Sequence, residues 1–197
     1  SERGAEELLF VGRLVEKKGL RHLLEALPAI VAARAAVRLT VVGFGPEQAQ
    51  LQARVLELGM HERVDFLGAI SQEQLPALYR RAAVLVAPFV MAEGGDQEGL
   101  GLVVAEAMAC GCPVLVGDVP GTRDLVGTES TVDATDHAAL AAAVLAVLGD
   151  PEGARLRALA LRARLQERLD WSVIAGSYAE LLEAAGERNS KFMRNGL

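Results

Sequence analysis

Positive charge is the first thing the sequence lacks. Its formal net charge is −6 and no dense run of Lys or Arg occurs, so the cationic footprint that nucleic-acid binding requires is missing. The isolated basic spots leave room only for a small anionic ligand. Cysteine is scarce: Cys110 and Cys112 are the only two. One intervening residue is a poor geometry for a disulfide, and no metal-type spacing exists. Reduced thiols packed as small apolar groups point to a reducing, cytoplasmic compartment. His22, His61 and His137 share no ligand spacing, so no metal site is expected. No stretch approaches the roughly 18–20 apolar residues of a membrane span. No signal peptide, internal repeat or low-complexity linker is visible. Ser71, Ser130 and Ser172 occupy capping or turn contexts, none in a nucleophile-elbow pattern. Trp171, the sole tryptophan, reads as a packing anchor between the last two helices.

What the chain has is alanine, valine and leucine in alternating short and long runs. About half its 197 residues are apolar, enough for one domain with an ample core. Strands are expected over 8–12, 37–42, 64–68, 84–87 and 113–116. Helices are expected over 20–33, from Pro46 to about Leu58, from Ser71 to about Ala82, over 102–110, from Asp136 to Leu148, from Asp150 to about Leu169, and over 173–185. Pro28 is expected to break or kink the first of these. Ser71 with Gln74 reads as a capping box, and Gly59 as a helix stop. The stretch from Asp118 to Thr131 reads as a turn-rich link with a short helix near Thr122–Val126, and Phe89–Gln97 as a mobile loop. Strands alternating with helices predict a Rossmann-like, doubly wound α/β fold with a parallel sheet of about six strands and C-terminal helices.

In such folds ligands bind beyond the carboxyl ends of the strands, and the charged and glycine-rich residues concentrate in the loops there. The densest is Glu98–Val114, EGLGLVVAEAMACGCPV. Seven residues separate Glu98 from Glu106. Glu98 falls in a loop with Gly99-Leu100-Gly101, flexible enough to bring backbone N–H groups close to a ligand. Glu106 falls one to two turns into the following helix. A helix N-terminus after such a loop is an anion site. Two acids beside it suit a ligand that also carries hydroxyl groups, such as a phosphate flanked by sugars. Glu106 sits in so apolar a helix that it requires a partner, which a ribose would supply. In the first loop, GRLVEKKG, Arg13 and Lys18 either clamp a diphosphate or are solvated loop charges; Lys17 and Arg21 read as surface charges. Gly43-Phe44-Gly45-Pro46 lacks a third glycine and follows the second strand, so it reads as a tight turn lining the crevice rather than a dinucleotide fingerprint.

These stretches, with VVGFGPE, VDFLGAISQEQLPALY and the segment from Trp171 to Ala185, resemble in order the donor-binding C-terminal domain of the retaining GT-B glycosyltransferases of family 4, the group 1 transferases. The resemblance runs from Leu8 to about Ala185. It implies that Arg13 and Lys18 hold the donor diphosphate and neutralise the departing nucleotide. It also implies that Glu98 binds hydroxyls of the transferred sugar, with Arg13, Lys18 and Glu98 as the catalytic set. The N–H groups of Gly99, Leu100 and Gly101 would approach sugar and phosphate, Glu106 would hold the ribose, and the backbone of Gly68, Ala69 and Ile70 would contact the base. No metal and no cofactor beyond the nucleotide-sugar donor is implied.

The resemblance covers only one half of a GT-B enzyme. The expectation is a donor-binding domain over 1–185 with a frayed polar tail over 186–197, cut from a longer enzyme. The N-terminal, acceptor-binding domain is its missing partner, and the full-length enzyme would work in the cytoplasm or at the inner membrane face. Alone, the chain is expected to bind nucleotide weakly and transfer nothing. The extended loop Val90–Gln97 hints at polysaccharide or glycolipid synthesis. The alternatives are a non-catalytic nucleotide-sugar-binding module or a GT-B sugar-nucleotide epimerase.

Overall fold

The computed structural model describes residues 6–99 and 101–169. Leu100, Trp171, the helix expected over 173–185 and the tail over 186–197 lie outside the described residues. The chain divides into two compact units, 1–162 and 163–197; of the second, only the last turns of one helix are described.

Six strands form one parallel sheet: β1 (Glu7–Val11), β2 (Arg38–Val42), β3 (Val64–Gly68), β4 (Val84–Ala87), β5 (Val114–Gly117) and β6 (Thr131–Val132). Their spatial order is β3-β2-β1-β4-β5-β6. The strands are near-continuous apolar runs, as a sheet covered on both faces requires. Leu8 and Phe10 of β1, Leu39 and Val41 of β2, and Val84 and Val86 of β4 form one core with Leu23, Leu24, Leu27 and Ile30 of α1 (Leu20–Ala33) and with Leu140 and Val144 of α6 (His137–Gly149). Residues of opposite parity, such as Leu9 and Leu85, are equally buried and face the other way. There α3 (Leu75–Arg81) and α4 (Leu102–Ala109) lie along β1, β4 and β5.

Local chemistry explains where the structure departs from the sequence expectation. The first helix runs through Pro28 without interruption. Proline removes one N–H from the ladder, but fully buried Leu24, Leu27 and Ile30 hold the segment against the core on either side of it. Helix α2 (Gln48–Glu57) starts two residues after Pro46, which sits in the preceding turn. The Ser71–Gln74 box forms in part: Gln74 Oε1 accepts from the Ser71 N–H at 3.2 Å. It closes a turn ahead of α3, which starts at Leu75 with Pro76 in its first turn. The short helix α5 (Pro120–Val126) is longer than expected, and β6 starts at Thr131, the last residue of what reads as a turn-rich link. Asp136 and Asp150 cap the helices that follow them: Asp136 Oδ1 accepts from the Ala138 and Ala139 N–H groups at 3.0 and 2.9 Å, and Asp150 Oδ1 from the Gly153 N–H at 2.9 Å. The long helix α7 runs over Pro151–Leu169.

Two glycines bring the loops at the carboxyl ends together. Gly19 follows β1 with φ 71°, and a Cβ there would lie 1.7 Å from the carbonyl oxygen of Pro88, just after β4. A Cβ on Gly121 in α5 would lie 1.8 Å from the carbonyl oxygen of Gly99. Both neighbours are backbone and cannot rotate away. Gly19→Ala is therefore expected to destabilise the fold by at least about 3 kcal/mol, lowering the thermal midpoint by roughly 6–12 °C. Circular-dichroism melting checks this; an unchanged midpoint would mean the two loops do not meet this closely.

Candidate functional site

In the strand order, β1 and β4 are neighbours, and the chain leaves them in opposite directions: from β1 toward β2, from β4 toward β5. A crevice opens at such a reversal, beyond the carboxyl ends. Lys18 ends a short 3-10 turn, Glu16–Lys18, in the connection after β1. Glu98 lies in the connection after β4. Eighty residues apart in sequence, they meet across the crevice, with Lys18 Nζ ion-paired to Glu98 Oε2. Their side chains are only 15% and 16% exposed, so the pair is far less screened than a surface bridge. Lys18 Nζ also stands 4.8 Å from the centre of the buried Phe89 ring, a cation–π distance. The other Glu98 oxygen, Oε1, accepts from the Gly101 N–H at 3.3 Å. Gly101 is the N-cap of α4, with φ 61°. Glu98 thus joins Lys18 to the positive end of the helix.

Arg13 is exposed, and its side chain makes no hydrogen bond or ion pair among the described residues. It stands at the rim, where a ligand is free to recruit it. Lys17, which reads as a surface charge, pairs with Asp96 at 3.0 Å. The Glu93 N–H donates to Glu16 Oε1 at 3.0 Å and the Val90 N–H to the Lys17 carbonyl at 3.1 Å. The loop expected to be mobile is therefore strapped at three points to the turn that carries Lys18.

Glu106 lies one turn inside α4, half-buried. An acid in so apolar a helix needs a partner, the role expected of a ribose. The structure supplies one from the chain itself: the Tyr79 hydroxyl donates to Glu106 Oε2 at 2.9 Å. Tyr79 is 1% exposed. Burial, then the bond to Glu106, pushes its phenol well above the usual range, so it stays a donor. Glu106 and Tyr79 line a cavity of about 250 Å³ beside α3 and α4, together with Gln72, Leu75, Pro76 and Cys110. Gln72 belongs to the connection after β3, which begins with Ala69 and Ile70 directly after Gly68, the last residue of the strand. In that connection Ala69 is exposed and Ile70 half-buried. Gly99 is exposed, and Leu100 is outside the described residues.

A larger cavity, about 810 Å³, lies at the other end of the sheet, against Ala83, Gly111 and Pro113, which precede β4 and β5. None of the candidate binding residues reaches it. The convergent charged groups are at the carboxyl ends, and they locate the site better than size does. Cys110 and Cys112 form no disulfide, and the second is buried.

The histidines hold a surprise. His22 of α1 and His137 of α6 lie 115 residues apart, yet His22 Nδ1 and His137 Nε2 are 3.1 Å apart. No group of three or more metal-binding side chains occurs among the described residues. Such a contact needs one N–H and one lone pair, so it fails when both rings are protonated. Burial first, then the charge of His137, holds His22 below its usual 6.5. The unfolded chain therefore takes up the proton more readily, and stability is full above pH about 6.5 and declines below it. The urea midpoint is expected to fall between pH 7.5 and 5.5, and His22→Gln to flatten that fall. An equal fall in the variant would remove His22 as its cause.

The family profile described as "Glycosyl transferases group 1" matches residues 2–168. The chain belongs to this family. This group 1 glycosyl transferase chain is 35% identical over 190 residues to the glycogen synthase of Mycobacterium tuberculosis, covering 94% of this chain and 44% of that protein. It is 36% identical over 181 residues to the GDP-mannose-dependent alpha-(1-6)-phosphatidylinositol monomannoside mannosyltransferase of Mycolicibacterium smegmatis, covering 90% and 47%. The chain thus spans about half the length of the curated relatives it matches. Among solved structures it resembles Anabaena HepE in complex with UDP (TM-score 0.80, 25% identity, 90% of this chain and 48% of that one). It also resembles the sucrose-phosphate synthase of Thermosynechococcus elongatus (TM-score 0.77, 33% identity, 93% and 46%). The Rossmann-like sheet expected from sequence is the fold these neighbours share.

Proposed function

We propose that this chain is the donor-binding, C-terminal half of a retaining GT-B glycosyltransferase that takes a sugar from a nucleoside diphosphate sugar. The observation that carries the reading is the meeting of Lys18, Glu98 and the α4 N-terminus at the reversal of strand order, with Glu106 one turn further along the same helix. A diphosphate there engages Lys18 and recruits Arg13, two cations that stabilise the charge growing on the leaving nucleotide. Glu98, displaced from Lys18, turns its carboxylate to the hydroxyls of the transferred sugar. The backbone N–H groups of Gly99, Leu100 and Gly101 approach sugar and phosphate. Glu106 holds the ribose, and the backbone of Gly68, Ala69 and Ile70 meets the base. The leaving diphosphate assists deprotonation of the acceptor on the same face, so the anomeric configuration is retained. HepE, solved with UDP and with UDP-glucose, and the GDP-mannose-dependent relatives support the ligand class.

The acceptor belongs to the other half of the enzyme, an N-terminal domain whose place is supported by the span of about half of each relative. A lipid or polysaccharide acceptor would bring the full-length enzyme to the inner face of the membrane from the cytoplasm; no described helix is long and apolar enough to cross it. Titration of the chain with UDP, GDP and ADP tests the reading. One of them is expected to bind, and Glu106→Ala to weaken it by roughly 1–3 kcal/mol, the worth of a hydrogen bond to a charged group. Unchanged affinity for every nucleotide in the variant would remove Glu106 from the site.

A further inference from the structure

We infer that Tyr79 is a positioning residue for the nucleotide's ribose: its buried hydroxyl fixes one oxygen of the Glu106 carboxylate and leaves the other as the aimed acceptor for a ribose hydroxyl. The inference rests on the donor-site reading above and names the residue that sets ribose recognition within it.

Four observations carry it. Tyr79 Oη lies 2.9 Å from Glu106 Oε2, a good bond to a charged acceptor. No hydrogen bond from a described residue reaches Oε1, and Glu106 is one of the residues lining the 250 Å³ cavity. The tyrosine is 1% exposed and packed in α3, so its hydroxyl is a fixed point. Gln72, of the connection after β3, lines one side of the cavity, and β3 belongs to the same parallel sheet as β1 and β4, whose carboxyl-end loops carry Lys18 and Glu98. A glutamate on a helix otherwise turns about three side-chain torsions, and fixing it costs entropy on ligand binding. Tyr79 removes that cost in advance. The remaining carboxylate oxygen accepts two hydrogen bonds, enough for neighbouring hydroxyls of a ribose. A 2′-deoxyribose leaves part of this capacity unfilled, so the pair works as a selector for ribonucleotides.

The simpler alternative is that Tyr79 only satisfies an acid in an apolar helix. The two are separated by measuring affinity for the best-bound nucleoside diphosphate and its 2′-deoxy form in the wild type, Tyr79→Phe and Glu106→Gln. The wild type is expected to prefer the ribose form at least tenfold. Tyr79→Phe should weaken the ribose form five- to tenfold, leave the deoxy form within twofold, and so lose most of the preference, as Glu106→Gln does. A Tyr79→Phe protein that keeps the full preference while Glu106→Gln loses it overturns the inference and leaves the donor-site reading standing. A wild type that binds nucleotide with no ribose preference overturns the inference, and one with no nucleotide binding overturns the donor-site reading as well. Since the chain has only two tyrosines, 3-fluorotyrosine labelling gives a check that does not depend on the variant folding. The Tyr79 fluorine resonance should shift with the ribonucleotide and markedly less with the deoxy form; equal shifts would count against the inference.

Discussion

Glu98→Gln is expected to move two affinities in opposite directions. The free nucleoside diphosphate should bind about three- to tenfold more tightly, while the added affinity contributed by the donor sugar disappears. The reason is the ion pair at the crevice. Lys18 is paired with Glu98, and both side chains are about five-sixths buried, so a diphosphate must compete with an internal carboxylate for its main cation. Glutamine removes the negative charge but keeps the shape and the oxygen that accepts the Gly101 N–H. The diphosphate then meets an unopposed ammonium. A neutral amide is a weaker acceptor for sugar hydroxyls than a carboxylate, by roughly a factor of two in hydrogen-bond strength. In the full-length enzyme, transfer should fall on the order of 100-fold or more, the scale of losing one aimed electrostatic contact in a transition state. Calorimetry with the nucleoside diphosphate and the nucleotide sugar separates the two effects. A variant that loses affinity for both would show that the pair does not compete with the ligand.

Lys18→Ala should have the largest effect on binding. It removes a charge-assisted contact to the diphosphate worth about 1.5–3 kcal/mol, or roughly 10- to 150-fold in affinity. It also strands Glu98, facing the ligand's phosphates without its counter-charge. Repulsion between the two adds to the loss. The double variant Lys18→Ala/Glu98→Gln should therefore bind better than Lys18→Ala alone, a departure from additivity that neighbouring charges produce. Titration of the three variants side by side reads this directly. A double variant weaker than either single one would mean that Glu98 does not act through Lys18.

How far this site was legible in the sequence differs residue by residue. The spacing of Glu98 and Glu106 and the glycines between them placed one acid before a helix and the other within it, because helical period and glycine positions are local properties. The parallel α/β class was equally local, carried by apolar runs alternating with helical periodicity. Strand order was not, since it depends on which edges meet, and with it went the knowledge that Lys18 and Glu98 face each other across 80 residues. The same holds for Tyr79 and Glu106, and for His22 and His137. Tyr79 falls inside a stretch that resembles the family, LPALY, but nothing in its spacing announces an acid 27 residues on. The unmet requirement of Glu106 for a partner was a sound physical signal; it was answered from within the chain because a tyrosine of the adjacent helix reached it first. The sheet of about six strands was expected, but the sixth could not be placed, because the two residues of β6 carry no periodicity.

The central claim is that a nucleoside diphosphate binds at the carboxyl-end crevice where β1 and β4 diverge. Mapping backbone amide shifts by NMR during a titration with the best-binding nucleoside diphosphate tests it most directly. The account predicts that the largest changes fall at Lys18 and Gly19, at Gly68–Ile70 and at Gly99 and Gly101, with those at Ala83, Gly111 and Arg155 around the opposite cavity unmoved. Changes centred on that opposite cavity, or none with UDP, GDP or ADP, would contradict it.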